Sequence, residues 1–207
     1  MDSERSSGVA NMIETEKKIL LTPQEYDFLL DAVYPGLHPV RQTNYYYDTE
    51  NFSLNACRIT CRIRRKGDRL CATVKYHSGD RTAEESVENS FSIEAVPPVL
   101  VYQEKDLMLY GSMETERRLS TDSGLRICID RNTYLGMTDY ELEIEYEEGH
   151  EQAAARALRR IAGAMTRERL IPDPESFILR IPIPKSERFF ERLRAQRSHA
   201  DQTDEKN

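Results

Sequence analysis

Period-two alternation of ionic and apolar side chains constrains this chain more than any other feature of it. In Cys57–Lys66 (CRITCRIRRK), Cys57, Ile59, Cys61 and Ile63 fall on one side, and Arg58, Thr60, Arg62 and Arg64 on the other. In Asp139–Glu147 (DYELEIEYE), Glu141, Glu143 and Glu145 oppose Tyr140, Leu142, Ile144 and Tyr146. Successive side chains of a strand point to opposite faces, so both stretches predict strands with one apolar and one ionic face. The same pattern places Glu14, Glu16 and Lys18 together in Met12–Leu21, and Cys71, Thr73 and Lys75 together in Arg69–Tyr76. Thr115 and Arg117 share a face in Ser112–Ser120, and Arg126, Cys128 and Asp130 share one in Gly124–Tyr134. Gln42–Asp48 (QTNYYYD) and Glu84–Phe91 (EESVENSF) read as further strands.

Helical signals are few. Thr22, Pro23 and Glu25 form a capping-box start, followed by Tyr26, Leu29, Leu30 and Val33 at helical spacing. Glu151–Met165 carries Ala154, Leu158, Ile161 and Met165 as an apolar stripe, and Pro184–Ala195 reads as a last short helix. Val99–Leu109 reads as a short helix or loop after the Pro97-Pro98 break. Roughly eight strands joined mostly by short turns, with two or three helices, imply an α+β fold with a largely antiparallel sheet. Residues 1–11 read as a disordered leader, 12–195 as a single domain and 196–207 as a disordered tail.

Such ionic faces have two readings. One is an antiparallel sheet whose polar face meets water and whose apolar face is covered by helices. The other is a barrel with a charged interior. The charges are segregated by strand: Arg62, Arg64, Lys75 and Arg117 stand against Glu14, Glu16, Glu141, Glu143 and Glu145. Three glutamates alternating on one strand repel unless cations sit among them. Arginine, dominant in the basic strands, presents a planar fork suited to phosphate oxygens. A charged barrel accounts for both, with basic groups holding a polyanion and glutamates holding a hard divalent cation through oxygen ligands.

Composition narrows the class further. A net charge of −7 argues against a general nucleic-acid binder. No apolar run approaches the roughly 20 residues that span a bilayer, and no signal-peptide core precedes the first strand, so a cytoplasmic protein without a membrane partner is expected. Cys57, Cys61, Cys71 and Cys128 form no C-x-x-C pair and read as buried free thiols in strands. His38, His77, His150 and His199 lie near turns or ends and read as solvated surface.

Several segments, in order, resemble the CYTH family, the triphosphate tunnel metalloenzymes. Glu14-Thr15-Glu16-Lys17-Lys18 is similar to its E-x-E-x-K signature. Asn44-Tyr45-Tyr46-Tyr47-Asp48, Arg62-Ile63-Arg64, Thr73-Val74-Lys75, Thr115-Glu116-Arg117 and Tyr140-Glu141-Leu142-Glu143-Ile144-Glu145 follow, and Lys185 resembles a late basic position. The likeness spans most of residues 12–190 and is greatest to the bacterial stand-alone members. It implies an eight-stranded antiparallel β tunnel with helices packed outside. It further implies that Lys18, Arg62, Arg64, Lys75, Arg117 and Lys185 contact a triphosphate-containing small molecule. Glu14, Glu16, Glu141, Glu143, Glu145 and Asp130 are the implied ligands of magnesium or manganese, and all three late glutamates remain open as ligands because they share a face. Glu84 and Glu88 match less closely. Catalysis is expected to centre on Glu14, Glu16 and Lys18, with hydrolysis of inorganic triphosphate as the leading reaction. Thiamine triphosphate, cyclisation of ATP, or a non-catalytic polyphosphate-binding module are the alternatives.

Overall fold

A computed structural model describes the backbone of residues 12–78, 84–180 and 183–204, and side chains within 15–77, 91–180 and 183–198. Its strands are β1 Met12–Leu21, β2 Val40–Asp48, β3 Ile59–Lys66, β4 Arg69–Ser78, β5 Glu84–Ile93, β6 Val99–Tyr102, β7 Lys105–Asp122, β8 Leu125–Tyr134 and β9 Met137–Tyr146. Every pairing is antiparallel, in the order β2-β3-β4-β5-β1-β9-β8-β7-β6. β2 also pairs with β7, from Val40 opposite Arg117 to Asp48 opposite Met108. Among the described residues, eight strands therefore form a ring in which each has two hydrogen-bonded neighbours, and β6 pairs only with β7, as a third neighbour outside the ring. The ring is the expected tunnel, and β6 is an addition to it.

β6 replaces the helix or loop expected after Pro98. Tyr102 pairs with Lys105 across Gln103 and Glu104, which both sit at positive φ, 47° and 61°. Two positive-φ residues make the tight turn whose twist matches that of paired strands. Such turns normally carry Gly or Asn, and their absence here hides the hairpin from a reading of residue types.

The apolar faces of the strands point outward and are covered in two places. Ile19, Leu21, Ile127, Ile129, Leu142 and Ile144 form a core with α3 (Glu151–Arg167), α1 (Pro23–Phe28) and α4 (Pro174–Ile178). α1 begins with the expected capping box and runs into a π-helical turn over Leu29–Val33. Tyr47, Cys61, Ile63, Ala72 and Val74 form a second core under Leu54 of α2 (Ser53–Ala56) and Leu107 of β7. Cys61 and Cys128 are buried as expected, whereas Cys57 is exposed. It caps the end of α2 rather than opening β3, because Arg58 turns the chain at φ 58°.

The last helix, α5 (Lys185–Asp204), runs nine residues past the Ala195 boundary expected from sequence. Its Phe189, Phe190 and Leu193 pack with Tyr46, Met113 and Tyr134, an aromatic plug placed against the ring. Gly111 makes room for it: at φ +141°, a Cβ there would stand 3.1 Å from Phe189 Cζ. α5 is thus fastened to the barrel and brings Lys185, its first residue, to the interior. The leader at residues 1–11 lies outside the described residues.

Candidate functional site

The ionic faces of the ring converge on a cavity of about 120 Å³. Its wall includes Glu16 and Lys18 from β1, Arg62 and Arg64 from β3, Lys75 from β4 and Arg117 from β7. Glu143 and Glu145 from β9 and Lys185 from α5 line it as well. Residues distant in sequence meet here because strand pairing sets β1 beside β9, with Lys18 opposite Glu143, and β4 beside β3, with Lys75 opposite Thr60. The outward apolar packing decides which face turns in: Leu142 and Ile144 must meet α3, so Glu141, Glu143 and Glu145 must face the interior.

Arg117 and Lys185 hold most of the carboxylates. Arg117 Nε and Nη2 donate to Asp130 Oδ1 and Oδ2 at 2.9 and 2.7 Å, a two-pronged pair. Nη2 also donates to Glu143, and Nη1 to Glu145 Oε1 at 3.2 Å. Lys185 Nζ lies 2.9 Å from Asp130 Oδ2, 2.5 Å from Glu141 Oε2 and 2.6 Å from Glu143 Oε1. Glu16 Oε1 takes Lys18 Nζ at 2.6 Å and Lys75 Nζ at 3.2 Å. Asp130 and Glu141 are buried and hold Lys185 without forming part of the cavity wall.

These contacts set the protonation states. Burial pushes the Glu143 carboxyl up, but Arg117, Lys185 and Lys18 outweigh it and hold its pKa well below the usual range. Glu16 is likewise lowered, Lys18 and Lys75 overcoming its burial. Burial works against the Lys185 ammonium, yet Asp130, Glu141 and Glu143 keep its pKa well above that of a free lysine. Glu145 goes the other way: burial and the neighbouring Glu143 charge raise it despite Arg117 and Arg126. The site therefore contains firmly ionised carboxylates and one that gives up its proton less readily.

Among the described residues, Asp130, Glu141 and Glu143 offer oxygen atoms lying within 4.8 Å of one another, close enough to share a metal ion. Glu141 Oε1 is buried with no hydrogen-bond partner among the described residues, so the cluster has an oxygen left to bind a cation. Three carboxylates suit a hard cation such as magnesium or manganese. A second grouping, Cys128, Glu143 and Glu145, suits it less, because burial keeps the Cys128 thiol protonated. Glu16 belongs to neither grouping and is held by lysines instead. Glu14 lies in β1 opposite Ser86, but its side chain is outside the described residues, as are those of Glu84, Glu88 and His199.

Some residues of the site were not anticipated. Arg126, on the face assigned to Asp130, lines the cavity and pairs with Glu145 at 3.0 Å. His77, expected in solvent, is half-buried in the wall, and its Nε2 lies 2.9 Å from Thr60 Oγ1. It continues the face of Thr73 and Lys75, so the alternation already contained the signal. Arg188, one turn after Lys185, donates to Asp139 Oδ2 at 2.9 Å and Glu141 Oε2 at 3.1 Å. Its position three residues from Lys185 on a helix is the only cue in the sequence.

Comparison with known proteins agrees with this architecture. The model of the CYTH domain matches residues 12–169. The candidate triphosphatase YjbK of Bacillus subtilis is 31% identical over 153 residues, covering 67% of this chain and 80% of that protein. Among solved structures, a candidate adenylate cyclase of Bacillus halodurans aligns with TM-score 0.64 at 22% identity, over 84% of this chain and 96% of the other. A candidate adenylyl cyclase of Hippeastrum, described as having a dominant triphosphatase activity, aligns with TM-score 0.59 at 20% identity, over 75% and 87% of the two chains. These two share the fold. The extent of the domain match and the identity to the Bacillus subtilis protein together make the chain a member of the CYTH domain family.

Proposed function

We propose that the protein hydrolyses a triphosphate with the help of a divalent cation, and that inorganic triphosphate is its substrate. One observation carries the reading: a cavity lined by Lys18, Arg62, Arg64, Lys75, Arg117 and Lys185 beside a cluster of three carboxylates. So many cations converging on so small a volume match a compact polyanion, and the lining is almost wholly ionic or polar. The Bacillus subtilis relative, named as a triphosphatase, supports the same substrate class.

The division of labour follows from the placement of charge. Arg62, Arg64, Lys75 and Lys18 grip phosphate oxygens and orient the chain, which is most of what phosphoryl transfer asks of a protein. Arg117, fixed by Asp130, faces the cavity ready to neutralise charge that develops in the transition state. Asp130, Glu141 and Glu143 would hold magnesium or manganese, which when bound supplies Lewis acidity toward the phosphate oxygens. Glu145, with its raised pKa, is the wall carboxylate best suited to take a proton from water. Water adds to the terminal phosphorus, the bridging P–O bond breaks, and the products are phosphate and diphosphate. The roles expected for Glu14 and Glu16 remain part of this proposal, with Glu16 placing Lys18 and Lys75 as well.

A second reading has its own observation. A larger cavity of about 460 Å³ adjoins the first and shares Thr60, His77, Pro184 and Ser186 with it. Phe52, Asn55 and Arg58 line its outer part, surfaces that accept an organic group attached to the triphosphate. A phosphate-release panel with magnesium and with manganese separates the two. Inorganic triphosphate, thiamine triphosphate, ATP and long-chain polyphosphate are compared for kcat/KM. Preference for inorganic triphosphate supports the first reading, and preference for an organic triphosphate the second. Cyclic AMP formed from ATP, or no metal-dependent phosphate release from any of the four, refutes both.

A further inference from the structure

The ammonium of Lys185 stands where a metal would stand. Its Nζ is within 2.9 Å of oxygens from Asp130, Glu141 and Glu143, the three residues grouped tightly enough to share a cation. Magnesium bound by the same carboxylates would sit about 2.0–2.1 Å from their oxygens. A divalent ion and an ammonium cannot both fill that space, and at such separation their charges repel strongly. One has to yield.

The surroundings show how Lys185 could yield while α5 stays docked. Phe189 and Phe190 are fully buried against Tyr46 and Tyr134, and these contacts lie beyond the first turn. Arg188 carries its own pairs to Asp139 and Glu141, and Ser186 Oγ is 2.7 Å from Thr60 Oγ1. Lys185 is the one residue of the turn whose long flexible stem reaches both the carboxylates and the cavity, whose wall it already forms. Once displaced it needs a new anion, and a phosphate chain in the cavity would be that anion. The orphaned Glu141 Oε1 fits this: the ammonium uses one oxygen of that carboxylate and leaves the other without a partner among the described residues.

We propose that Lys185 is an internal counter-cation that a divalent metal must displace from Asp130, Glu141 and Glu143, and that the substrate phosphates then receive its ammonium. The inference rests on the metal-dependent reading of the site and goes beyond it. Lys185 weakens metal binding in the free protein and couples it to phosphate binding, since each ligand improves the case for the other. Metal is thereby taken up in earnest only with substrate.

Manganese binding to the full chain tests this, measured by calorimetry and by the loss of the free-ion paramagnetic signal. Lys185→Gln keeps polarity and length but removes the charge. The variant is expected to bind manganese about tenfold more tightly than wild type without phosphate, within the usual range of coupling between sites. With a non-hydrolysable imido analogue of triphosphate present, that advantage shrinks or reverses. In the wild type, manganese alone speeds amide exchange in the first turn of α5 and leaves the turn around Phe189 and Phe190 protected. Manganese affinity equal or weaker in a folded Lys185→Gln protein, or unchanged exchange in the wild type, overturns the role of Lys185 and leaves the metal site standing. If wild type takes up no manganese with or without the analogue, the metal-dependent reading itself falls. The exchange measurement uses only wild type, so it decides the matter even if the variant does not fold.

Discussion

Arg117→Met is the substitution whose effect the geometry specifies most fully. The methionine keeps the stem packed and removes one guanidinium that serves Asp130, Glu143 and Glu145 together. Breaking a buried ion pair by deleting one partner costs about 3–5 kcal/mol, because a charge is left without compensation. The three contacts do not add. Asp130 and Glu143 keep Lys185, and Glu145 keeps Arg126. The lower end, about 3 kcal/mol, is therefore expected at pH 7, a large share of the about 5–15 kcal/mol that a domain commonly has. Its pH dependence identifies the cause. In the wild type Glu143 has a depressed pKa, so its contribution is full above 4.5 and is lost only as pH falls through the lower folded value. Without Arg117 the largest opposing charge is gone while burial remains, so Glu143 takes up a proton at higher pH. Glu145, already raised, moves further the same way. Protonation relieves the uncompensated charge, so the stability gap narrows as pH is lowered from about 7 to about 4.5. Urea denaturation of both proteins across that range measures it. A gap that stays constant or widens on acidification would show that Arg117 acts through packing rather than through charge.

Three further outcomes follow from other parts of the fold. Gly111→Ala places a Cβ 3.1 Å from Phe189 at a backbone angle L-residues avoid; about 1–3 kcal/mol is lost, with amide exchange in α5 accelerating more than in α3. Arg62→Ala and Arg64→Ala each weaken binding of inorganic triphosphate in calorimetry by about tenfold or more, the scale of a charged hydrogen bond, while leaving manganese affinity nearly unchanged; equal loss of both would contradict the separation of phosphate and metal groups. Glu25→Ala removes a buried carboxylate that accepts from Arg180 Nη1 and Nη2 at 2.7 Å each and from the Thr22 amide at 2.8 Å; since Arg180 is 31% exposed, about 2 kcal/mol is expected in thermal or urea unfolding.

What could be read from residues alone, and what could not, divides along physical lines. β3 and β9 were legible because alternation is a local property, and each carries its own apolar partner face. Closure of the ring was one of two readings of the charge pattern and was implied outright by the resemblance, since no residue in β2 or β7 announces that the two pair. The β6–β7 hairpin escaped because Gln103 and Glu104 take turn conformations that residue type does not favour. α5 beyond Ala195 carries no apolar stripe on a run of charged and polar residues, so nothing local marks its continuation. The groups set around Lys185 lie on β8, β9 and α5, and their meeting depends on docking of Phe189 and Phe190.

The placement of charge in this barrel is less a property of single strands than of their neighbours. β9 carries Glu141, Glu143 and Glu145 on its inner face, a row that would repel itself on an isolated sheet. Lys18 of β1 stands opposite Glu143 in register, Arg126 of β8 opposite Glu145, and Arg117 reaches across from β7. These cations offset Glu143 and Glu145, although Glu145 also faces Glu16 of β1 in register. Glu141 is opposite Asp130 in register, a second carboxylate rather than a cation, so the strands alone leave this end unbalanced. Lys185 and Arg188 supply the missing charge from outside the sheet. Among the described residues, the end of the barrel that draws its counter-charge from a helix is thus the end where three carboxylates meet. A helix residue can move without unpairing a strand, so this is also where a metal ion can exchange with protein charge at least disturbance to the fold.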